Sequence, residues 1–153
     1  FMGVQFRLAK REDIKELVDL MNECFGENTK YDFAKKVFLE TENDPNQIHL
    51  LGIHDTGKIA AYCKITIIPC ISSPMETFAI LNHVCVKPDF RREHIGTHLL
   101  TEAERLAKEH GAHQLALWSG NQRQAAHALY KKYGFEIFDG PFFEKELNLD
   151  ENQ

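Results

Sequence analysis

At Pro88 the hydrophobic pattern of this chain changes its period. Upstream, Ile59, Ala61, Cys63, Ile65 and Ile67 alternate with Ala60, Tyr62, Lys64 and Thr66, and a period of two is what an extended strand satisfies. Residues 48–54 and 78–86 read as two more strands, and Asp55-Thr56-Gly57 is a hairpin turn by composition. Downstream, Ile95, Leu99, Leu100, Ala103, Leu106 and Ala107 share one helical face over 95–110, with Gly111 as the stop. Residues 114–118 then predict a strand, 122–133 a helix ended by Gly134, and 135–138 a strand, with 142–147 closing the domain. A strand at 4–8 and helices at 11–25 and 31–40 precede the whole series. The order implies an α/β fold (α+β in some schemes), antiparallel in its first half, with a strand–helix–strand crossover in its second.

Length and charge narrow the function. The 153 residues suit one domain spanning 1–153 around one core. A net charge of −5 argues against nucleic acid as the main partner, because phosphate contacts need clustered Lys and Arg. No apolar run approaches the roughly 20 residues of a membrane span. Cys24, Cys63, Cys70 and Cys85 are widely spaced and form no C-x-x-C pair, so neither a zinc site nor a redox dithiol is suggested. Buried reduced thiols in a cytoplasmic protein are the expectation.

The informative segment runs from Val84 to Thr97: Val84-Cys85-Val86-Lys87-Pro88-Asp89-Phe90-Arg91-Arg92-Glu93-His94-Ile95-Gly96-Thr97. A strand ends, a short basic loop follows, and an amphipathic helix begins. The first turn of such a helix has unpaired N–H groups and the positive end of the dipole, which makes it an anion site. Arg91 and Arg92 add charge where a phosphate would sit, and Gly96 permits close backbone approach. Neither G-x-x-x-x-G-K-[ST] nor G-x-G-x-x-G is present.

Residues 84–100 resemble the acyl-CoA-binding motif of the GNAT N-acetyltransferase superfamily, [QR]-x-x-G-x-[GA] after a strand ending in V-x-P. Arg91 fits the first position and Gly96 the last, while His94 and Arg92 stand where glycines are common. His is one of the few other residues enriched in left-handed conformations. A second segment, Ala126-His127-Ala128-Leu129-Tyr130-Lys131-Lys132-Tyr133-Gly134-Phe135, looks like the family's A-x-x-[LF]-Y-x-x-x-G-F. The finer look is of aminoalkylphosphonate and aminoglycoside N-acetyltransferases. The resemblance implies a mixed central sheet of about six to seven strands flanked by about four helices.

It also implies roles. The family transfers acetyl from acetyl-CoA, as cosubstrate, to a primary amine by direct attack, which needs a base, an oxyanion donor and an acid for the thiolate. Tyr130 is the implied acid. His83 is the candidate base, sharing a strand face with Leu81 and Cys85 in the alternation and standing where related enzymes often carry a Glu. Backbone groups of Val84, Cys85 and Val86 are implied to hold the acyl carbonyl and pantetheine, and Arg91, Arg92, Glu93, His94, Ile95, Gly96 and Thr97 the pyrophosphate. Asn121 is either a cofactor contact or a helix cap, and Lys132 is either a phosphate contact or part of a solvated helix face. No residue spacing suggests a metal. The acceptor is expected to be a small-molecule amine, met by loops carrying Glu27, Asp32, Glu76 and Asp139. Homodimers are common in the superfamily. Two alternatives stay open: a non-catalytic acyl-CoA sensor, and acetylation of a protein or peptide amine.

Overall fold

The computed structural model describes residues 3–149. Residues 1, 2 and 150–153, which the single-domain expectation includes, lie outside the described residues. In chain order the elements are β1 (Val4–Leu8), α1 (Ile14–Phe25), α2 (Tyr31–Thr41), β2 (Gln47–His54), β3 (Ile59–Ile68), β4 (Phe78–Val86), α3 (Ile95–Glu109), β5 (Leu115–Leu117) and α4 (Gln124–Tyr133). Short 3₁₀ turns at Arg11–Asp13 and Pro88–Phe90 introduce α1 and the loop before α3.

The five strands form one sheet in the order β1-β2-β3-β4-β5. The first four pair antiparallel, and β5 pairs parallel to β4 through the α3 crossover. The change of period at Pro88 therefore marks where the sheet stops growing by hairpins and starts growing by crossover. Helices cover both faces. On one, α3 and Tyr130 of α4 pack Ile95, Leu99, Leu100 and Ala103 against Leu50, Cys63, Ile65, Ala79 and Leu81. On the other, Ile14, Leu17, Val18 and Leu20 of α1, with Phe38 of α2, pack against Leu51, Ile59, Tyr62 and Cys85.

Polar groups fix where α1 starts. The Asp13 carboxylate accepts both Arg7 Nη atoms at 2.7 and 2.9 Å and the Lys10 N–H at 2.7 Å, which joins the end of β1 to the first turn. Hydrogen bonding from Arg7 holds the Asp13 carboxyl below the usual range despite burial. Gly26, at φ 62°, supplies the left-handed residue that ends the helix.

The strand alternation breaks twice. Gly52 faces Ala61 and Ile53 faces Ile59, so Ala60 is an extra residue and turns inward beside Ala61. Tyr62 faces Cys85 but Lys64 faces Asn82, so β4 holds one residue more than β3 across this stretch. Within that bulge His83 adopts φ 52°, a left-handed conformation in mid-strand.

Three expectations change. The segments 135–138 and 142–147 form no strand, and the described sheet has five strands rather than six or seven. The reason is an edge too short to template them: β5 offers three paired residues, and Pro141 lacks an N–H to give a ladder. Ile137, Phe138, Phe143 and Leu147 are consequently exposed, and Phe142 rests on Trp118 with ring centres 5.7 Å apart. The helix expected from 122 begins at Gln124, after a turn in which Arg123 N–H donates to Gly120 O, so Asn121 is not its cap. The third correction concerns His83. The bulge inverts the alternation, so Leu81 packs with α3 while Cys85 packs with α1, and His83 leaves Leu81's face to lie on the Phe25 ring.

Candidate active site

The cleft follows from a mismatch in strand length. Parallel pairing between β4 and β5 covers only Ala79 to Leu81, while β4 continues to Val86. Beyond Leu81 the β4 edge facing β5 has no ladder partner among the described residues, because β5 ends at Leu117 opposite Leu81. Ser119, two residues past the end of β5, has a buried hydroxyl with no hydrogen-bond partner. An orphaned buried polar atom is uncommon and costs about 1–3 kcal/mol, so one opposite an unpaired strand edge fits a polar ligand between the two.

The α3 terminus lies at the same end of β4. The first backbone bond of the helix is His98 N–H to His94 O at 3.3 Å, so the amides of Ile95, Gly96 and Thr97 have no backbone acceptor among the described residues. Arg92 at φ 73° and His94 at φ 61° both hold left-handed backbone. Both positions thus keep the conformation that a glycine loop uses, at a strain of about 1–2 kcal/mol each. Arg92, Glu93, His94 and Thr97 are exposed around the turn, whereas Ile95 is buried as its anchor. Phe90 stacks on His54 with ring centres 4.1 Å apart, and His54 Nε2 lies 3.8 Å from Glu93, so the far side of the loop is braced on the end of β2.

Arg91 is exposed as well but folds back onto β4. Its Nε donates to Val86 O at 3.1 Å, and the Cys24 thiol donates to the same carbonyl at 3.5 Å. Arg91 therefore fixes the loop to β4 and is not spent wholly on an anion. Gly96 is required by α4: an added Cβ would come within 2.9 Å of Leu129 Cδ2. That contact also places exposed Lys132, one turn along α4 on the Leu129 side, near the α3 terminus. Asn121 is exposed in the turn before α4, near the other end of that helix.

Two titratable groups flank this unpaired edge from opposite faces. Tyr130 is buried in the α3 and α4 face, edge-on to Phe135 at 5.9 Å. Burial raises its pKa, and the nearby Arg123 guanidinium offsets part of that rise. On the α1 face, His83 Nε2 lies 3.3 Å from Glu27 Oε2, and its Nδ1 lies 3.3 Å from Asn82 Nδ2. Glu27 as acceptor and Asn82 as donor together select the Nε2–H tautomer. Of the four acidic residues considered for the acceptor, Glu27 is the one the structure brings to His83; Glu76 pairs with His113 at 3.3 Å instead.

Two participants were missed in the sequence. Arg123 lies 4.4 Å over the Phe25 ring and acts electrostatically on both Tyr130 and Cys85, so it sits at the mouth between the two faces. Cys24 packs against the buried cluster that holds Cys85, and its thiol donates to Val86 O. No local motif announces either one, because each acts through a contact distant in sequence. Among the described residues no His, Cys, Asp and Glu cluster could hold a metal, and no helix is long and apolar enough to cross a membrane.

Comparison with known proteins meets this geometry. The family model described as Acetyltransferase (GNAT) family matches residues 14–135. An uncharacterized N-acetyltransferase of Methanocaldococcus jannaschii, MJ1207, is 40% identical over 139 residues, covering 85% of this chain and 59% of that protein. A Bacillus subtilis (strain 168) protein, assigned by name alone as a ribosomal protein bS18-alanine N-acetyltransferase, is 34% identical over 88 residues, covering 58% of this chain and 54% of the relative. The chain thus spans rather over half the length of these curated relatives. The aminoglycoside 6'-N-acetyltransferase AAC(6')-Ih of Acinetobacter baumannii superposes with a TM-score of 0.78 over 95% of this chain and 100% of that one, at 19% identity, a likeness of fold.

Proposed function

This chain belongs to the GNAT acetyltransferase family, and from that premise we propose that it transfers an acetyl group from acetyl-CoA to the primary amine of a small molecule. The observation that carries the proposal is the cleft where β4 outruns β5, with unpaired α3 amides at one end and a titratable group on either face. Acetyl-CoA suits it. The Ile95, Gly96 and Thr97 amides, with Arg92 and Lys132, would hold the phosphates, while Ser119 and the Val84–Val86 edge offer the polar groups a pantetheine amide and a thioester carbonyl need. Bound acetyl-CoA supplies the acyl group as an activated thioester.

The residues divide the proton work by face. His83, in its Nε2–H tautomer, presents Nδ1 to accept the proton that the attacking amine must lose once Asn82 gives way. Glu27 steadies the imidazolium that results and attracts a cationic amine. As the carbon–sulfur bond breaks, the Tyr130 hydroxyl donates a hydrogen bond to the departing thiolate; with ordinary tyrosine and thiol pKa values of about 10 and 8.5 full proton transfer is slightly uphill, and reprotonation of the tyrosinate from solvent completes it. Arg123 stabilises the transient tyrosinate. Amine and thioester thus approach from opposite faces, which supports direct transfer in a ternary complex. The free cysteines Cys24, Cys63, Cys70 and Cys85 accord with a reducing, cytoplasmic setting.

One observation favours a second reading. The Bacillus subtilis relative is named for an alanine of a ribosomal protein, which makes a peptide amine the competing acceptor. Purified protein with acetyl-CoA, a panel of small amines and an alanine-terminated peptide, followed by free-thiol release, decides between them. Release with small amines alone is expected; release with the peptide alone would move the assignment to protein acetylation. Tight CoA binding with no release would leave a sensor.

A further inference from the structure

We propose that Arg123 sets the acceptor specificity of the cleft by binding a carboxylate, so that the preferred acceptors are short amino acids rather than plain amines. The choice of acceptor rests on the acetyl-transfer reading above, whereas the carboxylate site itself does not. Three elements meet around one ring. Phe25 ends α1, and the guanidinium of Arg123, the residue before α4, lies over that ring with Cζ 4.4 Å from its centre. The imidazole of His83 in β4 packs on the same ring with centres 5.0 Å apart, and its Nε2 lies 3.3 Å from Glu27 Oε2. A cation and a carboxylate-backed imidazole thus border one aromatic side chain.

The guanidinium has no acceptor of its own. Among the described residues the Arg123 side chain makes no hydrogen bond and no ion pair, and what it touches is the Phe25 ring. The other arginines are accounted for. Arg7, Arg11 and Arg105 each hold a carboxylate, Arg91 holds the Val86 carbonyl, and Arg92 is exposed in the loop assigned to phosphate. Arg123 is half-buried, where an unpaired charge is less well solvated than at the surface. A ring face steadies that charge but offers no lone pair to the N–H fork. Helix stability does not explain the position either. A cation at the amino end of a helix meets the positive end of the dipole, and Arg123 makes no side-chain capping bond there. The partner that suits the fork is a carboxylate, which takes two parallel N–H bonds.

Placement relative to the reacting groups limits the size of the acceptor. Arg123 stands two helical turns before Tyr130 and on the same side of α4, and its charge offsets part of the rise in the Tyr130 pKa. An acceptor whose amine sits at His83 and Glu27 therefore has its other end within reach of Arg123. Because both groups border the Phe25 ring, a short chain suffices to join them, and its methylenes would lie on that ring. A monoamine leaves the guanidinium without an acceptor. A polyamine brings a second cation up to it. Charge at this one position thus selects for amino carboxylates and against polyamines.

The experiment follows thiol release from acetyl-CoA with glycine, β-alanine and γ-aminobutyrate, each beside its own carboxamide, in the native chain, Arg123→Gln and Arg123→Lys. Calorimetry of the same acids and amides, with the protein saturated in CoA, reads binding without turnover. In the native chain kcat/KM should favour at least one acid over its amide by about tenfold, chiefly through KM, as a charge-assisted pair would give. Arg123→Gln should abolish that preference, and Arg123→Lys should keep part of it. A native chain that favours the amides, or treats acids and amides alike, would overturn the proposal. So would an Arg123→Gln variant in which kcat falls for both while the preference survives, since Arg123 would then serve Tyr130 alone. If no amine releases thiol, calorimetry still decides. Acid binding that exceeds amide binding and disappears in Arg123→Gln would keep the carboxylate site and sink acetyl transfer; equal binding would sink both.

Discussion

The two faces of the sheet are built from different materials. Under α3 and α4 the strands present Ala60, Ala61, Cys63, Ile65, Ala79 and Leu81, essentially without exposure, and the helices answer with Leu99, Leu100, Ala103 and Ala107. Small side chains let the crossover helix lie close, and close packing holds its amino end rigidly beside β4. Under α1 and α2 the strands present His49, Tyr62 and Cys85, with His83 and Cys24 at the margin. His49 is the clearest case. It lies 2.9 Å from the Tyr62 hydroxyl and 3.1 Å from Thr41 Oγ1, tying α2 to the sheet through polar atoms. One face fixes a helix terminus; the other carries a group whose protonation can change. The cleft lies where the two meet.

Mutations can break that contrast. The largest loss is expected from Leu99→Ala, which removes a fully buried side chain from the close-packed face and should cost about 3 kcal/mol in chemical denaturation. A loss well under 1 kcal/mol would show that α3 can collapse onto the gap, and that its terminus is less rigid than argued.

Acid should test the opposite face. Burial, aided by Lys64, lowers the His49 pKa to about 4, against an ordinary value near 6.5. A histidine depressed on folding binds more protons when unfolded. Its contribution is thus complete above about 6.5 and is lost progressively as pH falls toward 4, by up to roughly 3 kcal/mol. Asp13, held below its own value of 3.8, acts in the same direction only at still lower pH. Stability measured from pH 7 to 4 should fall more steeply in the native chain than in His49→Gln; parallel curves would remove His49 from the account.

Tyr130→Phe sharpens the comparison within the cleft, since it keeps the ring against Phe135 and removes only the hydroxyl. A drop in kcat of about a hundredfold is expected with CoA affinity nearly unchanged, as for a lost general acid. An unaltered kcat would return Tyr130 to the packing of the α3 face. The smallest effect is a gain. His94→Gly relieves left-handed backbone at φ 61° and should raise stability by about 0.5 kcal/mol, read as a higher Tm. A lower Tm would mean that the His94 side chain makes a contact worth more than the strain.

How far these features could be read in advance depended on whether they are local. The helix start at Ile95, the parallel crossover, and the glycine-like backbone at Arg92 and His94 all follow from short-range pattern or motif, and the structure has each of them. Gly96 was legible as a close approach, although Leu129 is what approaches it. The His83 bulge was not legible. Nothing near Asn82-His83-Val84 marks an extra residue, and its cost is repaid by pairing with β3 on either side. The five-stranded sheet was overestimated because 135–138 and 142–147 carry strand-forming residues, yet strand propensity needs an edge to pair with.

By itself the sequence determined what each segment of this protein would become and where an anion could dock, because period, turn chemistry and helix ends are written in neighbouring residues. Only the tertiary structure decided which side chains share a face. A single inserted residue in β4 turns every later side chain over. The meetings of Cys24 with the Val86 carbonyl, and of Arg123 with Phe25, arise from packing between segments whose order along the chain carries no distance.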